Sequence, residues 1–125
     1  MKDIVSTDDA PEAVGAYSQA TVANGFVFTA GQIPLTPDGE AVDGDVGEQT
    51  RQCLDNIQAV LEEAGASLED VVKVTVFLDD IDDFSEMNDI YSGYFDEEPP
   101  ARSAVEAGNI PKGFDVEIEA VASID

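Results

Sequence analysis

The sequence has no histidine, one cysteine (Cys53) and only five lysines and arginines among 125 residues. Each shortage closes a class of function. A single cysteine cannot form an intrachain disulfide, and without histidine neither the usual zinc sites nor any histidine-based catalytic arrangement can be built. The scattered Lys2, Arg51, Lys73, Arg102 and Lys112 do not make the basic cluster that phosphate backbones require, so nucleic acid is disfavoured as a partner. No window approaches the ~20 apolar residues that span a bilayer, and Met1-Lys2-Asp3-Ile4-Val5 lacks the apolar segment of a secretion signal. The expectation is a soluble, cytoplasmic protein with no membrane partner.

What the chain has in excess is acid. Its 28 Asp and Glu leave a net charge of −23, spread from Asp3 to Asp125 rather than gathered in a tail. Such a chain repels itself in dilute buffer. In molar salt the Debye length falls to about 3 Å, which screens the repulsion while dispersed carboxylates keep the surface hydrated. The distribution favours a halophilic protein; an acidic surface built for a basic partner would collect its charge on one face or in one block. Hydrophobic residues, 43% of the total and arranged in patterned blocks, set the chain apart from a disordered acidic polymer. At this length it forms a single domain over residues 1–125, burying roughly two-thirds of its unfolded surface.

Ile4-Val5 reads as a short strand. Asn24-Gly25 is the dipeptide of a type I′ turn, so residues 18–23 and 26–30 pair as a hairpin, followed by a loop over 31–44. Asp45 and Glu48 have capping-box spacing, and Val46, Cys53, Leu54, Ile57, Val60, Leu61 and Ala64 recur every three or four residues up to Gly65, which predicts a long helix with Glu48, Gln52, Asp55, Glu62 and Glu63 on its wet side. Cys53 lies on the apolar stripe and reads as a small core residue. Residues 71–78, β-branched and nearly all apolar, suit an internal strand. Asp83 and Glu86 repeat the capping spacing before a second helix whose apolar stripe is Phe84, Met87, Tyr91, Tyr94 and Phe95. Strands at 101–106 and 114–123 close the chain. The predicted order β-β-α-β-α-β-β gives an α+β fold, a mixed sheet with two helices carried to one face by two right-handed crossovers between neighbouring parallel strands. In the last strand Phe114, Val116, Ile118, Ala120 and Ala122 suit the helix side, and Asp115, Glu117, Glu119, Val121 and Ser123 point the other way. Thr75 and Phe77, or their neighbours, make that second face too apolar for open water, so it is expected to be a subunit interface.

Arg102 stands out because Pro99-Pro100 hands the chain to a strand just before it. A guanidinium is planar, permanently charged and matched to a carboxylate, so it either grips a small acid or forms a structural salt bridge to one of the many acids. Glu117 and Glu119 share the interface face; partial burial would lift a carboxyl there toward proton-transfer range, while the plain alternative is two more surface acids. Tyr17 reads as core packing, with a ligand-facing ring as the alternative. Asn88 flanks Met87 and Tyr91 as either a solvent neighbour or a hydrogen bonder behind a site. Asp79-Asp80-Ile81-Asp82-Asp83 lacks the glycine and terminal glutamate of a calcium loop and reads as solvated loop plus helix cap, and no phosphate-binding glycine pattern occurs.

Taken together, Gly15-Ala16-Tyr17-Ser18-Gln19-Ala20, Thr29-Ala30-Gly31-Gln32-Ile33-Pro34, Gln52-Cys53-Leu54-Asp55-Asn56-Ile57, residues 72–78, Pro100-Ala101-Arg102-Ser103-Ala104-Val105-Glu106 and Ile110-Pro111-Lys112-Gly113 with Val116-Glu117-Ile118-Glu119-Ala120 resemble the RidA family of enamine/imine deaminases over essentially the whole chain. The resemblance implies a chorismate-mutase-like fold and a homotrimer with sites between subunits. It implies that Arg102 holds the carboxylate of a 2-imino acid, Glu117 activates the attacking water, Tyr17 lines the pocket, Asn88 supports it, and the backbone near Ala30, Gly31 and Ala104 completes it. The product is a 2-oxo acid, and no cofactor or metal is implied. A binding module that captures 2-oxo acids without turnover is the alternative within the same fold. Ala30 stands where many members have serine and Ala104 where many have cysteine, so an altered rate or substrate range is expected; the segment 96–100 is shorter than in some relatives.

Overall fold

Asn24 (φ 54°) and Gly25 (φ 80°) both adopt the left-handed backbone that a type I′ turn requires. They join β2 (Ala20–Ala23) to β3 (Phe26–Thr29), with Ala23 opposite Phe26. The hairpin is shorter than predicted, because Ser18 and Gln19 lie in the loop ahead of it and Ala30 lies past its end. β1 (Asp3–Val5), the short strand read at Ile4-Val5, pairs antiparallel with β2, so three strands precede the first helix where the predicted order counted two. The computed structural model describes residues 1–124; Asp125, the last acid of the sequence, lies outside them.

Helix α1 (Val46–Glu63) begins as its spacing predicts: Asp45 accepts the Glu48 backbone N–H at 2.9 Å. Gly65 (φ 86°) lies just past its end. Helix α2 (Phe84–Tyr94) begins differently. Asp83 makes no side-chain cap; a 3₁₀ turn over Ile81–Asp83 leads into the helix and is capped by Asp80, which accepts from Asp82 N–H at 2.9 Å. Glu86, expected to cap its own helix, instead accepts from the Gly47 backbone of α1 at 3.3 Å.

The remaining strands are β4 (Val71–Leu78), β5 (Ala101–Glu106) and β6 (Val116–Ser123), and the sheet runs β1-β2-β3-β6-β4-β5. Among the described residues, only β4 and β5 are parallel neighbours. The connection through α1 is not the predicted crossover between neighbours, because β6 inserts antiparallel between β3 and β4. The last strand therefore lies between the two strands that the first crossover links. Both helices still lie on one face, α1 against β6 and β3, and α2 against α1.

Alternation along β6 is as predicted. Val116, Ile118, Ala120 and Ala122 are buried with Cys53, Leu54, Ile57 and Leu61 of α1, and the intervening side chains are not. Cys53 is wholly buried beside the Val116 carbonyl (3.9 Å), and burial, with the Glu117 charge, pushes its thiol well above the ordinary range, so it behaves as a small core residue. The opposite face carries Ile4, Phe26, Phe28, Val105, Thr75, Phe77 and Val121, several of them large and exposed. Two polar cores pin the loops around this frame. Buried Gln19 donates to the Pro11 carbonyl at 2.8 Å and accepts from Thr7 N–H at 2.6 Å, and buried Asn56 donates to the Leu35 carbonyl at 2.9 Å.

Candidate functional site

Parallel register places Arg102 opposite Val74 and Ala104 opposite Val76. Both valines are wholly buried toward the helices, so Arg102 and Ala104 share that side. There Arg102 meets α2. Phe84, Asn88 and Tyr91 stand at i, i+4 and i+7, one stripe of the helix, and all three touch the guanidinium. Its Nη1 donates to Asn88 Oδ1 at 2.7 Å, and its central carbon lies 5.1 Å from the Phe84 ring centroid and 4.7 Å from that of Tyr91. Each of these partners is neutral. Among the described residues, the contacts that orient the Arg102 charge are thus neutral, and a salt bridge is not among them.

Beside it opens a cleft of about 530 Å³, lined by Asn88, Tyr91, Phe95, Asp96, Pro100 and Arg102 among others. The volume suits a small molecule. Pro99 and Pro100 form part of its wall, which is how the double proline serves the site. Tyr91 is nearly fully buried, and its hydroxyl has no hydrogen-bond partner among the described residues. Burial pushes its phenol up, and the Arg102 charge draws it partly back.

Glu117 belongs to the other face, opposite Phe77 on β4. It is half-buried, and burial, then the neighbouring Glu119 charge, raises its carboxyl above the ordinary range. That is the direction a proton acceptor needs. Its carboxylate lies over Gly31, in a segment fixed on both sides: Ala30 N–H donates to the Gln19 carbonyl at 2.8 Å, and Gln32 exchanges backbone bonds of 2.7 and 3.1 Å with Ile118. Glu119 is exposed.

One chain thus gathers Arg102 with Asn88, and Glu117 with Ala30 and Gly31, but on opposite faces of the sheet. Tyr17 joins neither group. It is 54% exposed, in the loop after Gly15 (φ 109°), which corrects the expectation that it packs in the core. Sequence reading passed over Phe84 and Tyr91 as members of the arginine site, since it assigned them to the core. Their spacing with Asn88 was the available signal, and it needed β5 beside α2 to acquire meaning.

A six-stranded mixed sheet with both helices on one face defines a class of small α+β proteins. Comparison places the chain within it. The sequence model of the family described as Endoribonuclease L-PSP matches residues 7–124. A RutC family protein of Pyrococcus abyssi is 54% identical over 122 residues, covering 97% of this chain and 96% of the relative. The protein of Escherichia coli K12 that carries the name reactive intermediate deaminase TdcF is 42% identical over 125 residues, with 98% of this chain and 97% of the relative covered. Among solved structures, yeast Mmf1 superposes with a TM-score of 0.97 at 42% identity over the full length of both chains. E. coli TdcF with bound serine gives 0.92 at 40% identity, covering 98% of this chain and 99% of that one. The chain belongs to the RidA/RutC (L-PSP) family, which includes reactive intermediate deaminases.

Proposed function

We propose that this chain hydrolyses short 2-imino acids and their enamine tautomers to 2-oxo acids and ammonia, in a homotrimer whose sites form where Arg102 of one copy meets Glu117 of another. The observation that carries the reading is the set of neutral partners around Arg102. In a sequence with 28 acids, a guanidinium held by an amide oxygen and two rings keeps its attraction for an incoming anion. The half-buried Glu117, on a face too apolar for water, supplies the complementary group once another copy covers that face.

The reaction asks little of the protein, because a protonated imine is already electrophilic. Arg102 fixes the substrate carboxylate, which places C2 against a water held by Glu117. The water oxygen bonds to C2 as the C=N π electrons move to nitrogen, and Glu117 accepts the water's proton. That proton passes to the amine nitrogen of the carbinolamine; the C–N bond then breaks as Glu117 takes the hydroxyl proton and the C=O forms, and the departing ammonia carries that proton away as ammonium. Asn88 orients the guanidinium, and Tyr17, exposed in the single chain, lines the pocket from the neighbouring copy. The backbone at Ala30, Gly31 and Ala104 completes the wall. Substrates of this kind, 2-iminopropanoate and 2-iminobutanoate, are released by pyridoxal-phosphate enzymes, so the role is to clear them. The dispersed acids support molar salt as the working medium.

The test is 2-oxobutanoate formation in molar salt from imine generated in situ by a threonine dehydratase. The chain accelerates it, and Arg102→Ala lowers kcat/KM by roughly 10²–10³-fold with far-UV circular dichroism unchanged. Equal rates with and without protein end the proposal. Ala30, which lacks a hydroxyl, favours a second reading, capture of a 2-oxo acid without turnover; calorimetric binding of 2-oxobutanoate with no ammonia release would select it. RNA cleavage, suggested by the family's description, has little support in a chain of net −23 with no histidine.

A further inference from the structure

We infer that Gly31 is a positioning residue for Glu117: the absence of a side chain there is what lets the Glu117 carboxylate lie down against the 30–32 segment in the place where it works. This rests on the deaminase reading above and assigns Gly31 a task beyond lining the pocket. A Cβ built on Gly31 would collide with Glu117 Oε2 and come within 2.9 Å of its carboxyl carbon and 3.2 Å of its Cγ. The space any other residue would fill is therefore occupied by the carboxylate itself.

Which side gives way is decided by the backbone. Ala30 is tied to Gln19, itself buried and bonded to the 7–11 loop, and Gln32 is bridged in both directions to Ile118. Ile118 is wholly buried, so this stretch of β6 and the segment facing it do not separate easily. The carboxyl end of a glutamate turns about soft torsions. A methyl group at position 31 leaves the fold in place and moves the carboxylate. The glycine is not needed for backbone freedom, since its φ lies outside the left-handed range taken by Gly15, Gly25 and Gly39.

Displacing a proton acceptor by about 1 Å from its attacking water costs on the order of 10²-fold in rate. Gly31→Ala should lower kcat for imine hydrolysis by between about 10- and 100-fold, with calorimetric affinity for 2-oxobutanoate held within about twofold, because Arg102 is untouched. The variant should keep its far-UV spectrum and assembly mass. The decisive comparison uses Glu117→Asp, which keeps a carboxylate but draws it back by one methylene, about 1.5 Å, off the Gly31 Cα. In that background Gly31→Ala should cost less than about threefold, a non-additivity that a general structural defect does not produce. The same loss in both backgrounds, or a fall in 2-oxobutanoate affinity that tracks the fall in rate, overturns the inference and leaves the deaminase reading standing. A wild-type chain that does not accelerate hydrolysis removes both.

Discussion

On β6, Val116, Ile118, Ala120 and Ala122 are buried beneath α1, whereas Glu117, Glu119, Val121 and Ser123, alternating with them, are at most half-buried. Along β6 the helix-covered side is filled within one chain, by four buried aliphatic residues. The other face is not complete. It sets Phe26 and Phe28, with ring centroids 6.3 Å apart, and the exposed Val105 on the same sheet surface as Glu117, Glu119 and Lys73. A surface built only for water would not carry the first group, and a core would not carry the second. The contrast fits the proposed assembly, in which another copy covers this face and brings its arginine site to Glu117.

Breaking each face separately separates their duties. Phe28→Asp on the uncovered face should reduce the sedimentation mass from three chains to one and take deamination to the uncatalysed rate, while the separated chain keeps its secondary structure and changes its own stability by only about 1 kcal/mol. Retention of the three-chain mass would show that this face is not the interface. Ile118→Ala, one residue from Glu117 but wholly buried on the covered side, should do the reverse. It should cost about 2–5 kcal/mol in denaturant unfolding and leave the assembly mass intact.

Much of the covered face could be read in advance and little of the site could. The alternation of β6, the Asn24-Gly25 turn and the Asp45 cap are local signals, each written within ten residues, and each appears as read. The insertion of β6 between β3 and β4 has no local signature, because it rests on pairings between residues far apart in the sequence. For the same reason sequence could nominate Arg102 and Glu117 but could not put them on opposite faces. Tyr17 was misassigned because an isolated tyrosine has no periodicity to place it. Phe84 and Tyr91 fit an apolar stripe whether that stripe packs a core or beds a guanidinium.

The two halves should also separate with pH. Glu117 must be deprotonated to accept a proton, whereas binding of a ligand carboxylate at Arg102 does not call on it. Its carboxyl is raised by burial and by Glu119, so kcat/KM should fall as pH drops through a value above that of an ordinary glutamate, and the limb should be absent in Glu117→Gln, whose rate is lower by about 10²-fold. For folding the sign is opposite: a raised carboxyl favours its protonated form, so its contribution is retained below the ordinary glutamate value and lost as pH rises through the raised one. An acid limb that persists unchanged in Glu117→Gln assigns it to another group.

The smallest change tests the neutrality around Arg102. Asn88→Asp is nearly isosteric and keeps an oxygen where Oδ1 now sits, 2.7 Å from Nη1, but it gives the guanidinium a permanent counter-ion. If the site works because Arg102 has no resident anion, the substitution should weaken 2-oxobutanoate binding by about tenfold, close to the strength of one charge-assisted hydrogen bond, while raising the unfolding midpoint slightly. Asn88→Ala should weaken binding less, since Phe84 and Tyr91 still flank the guanidinium and no competing charge is introduced. Were the aspartate variant to bind as well as the parent, orientation of the arginine rather than its unneutralised charge would be what the α2 stripe provides.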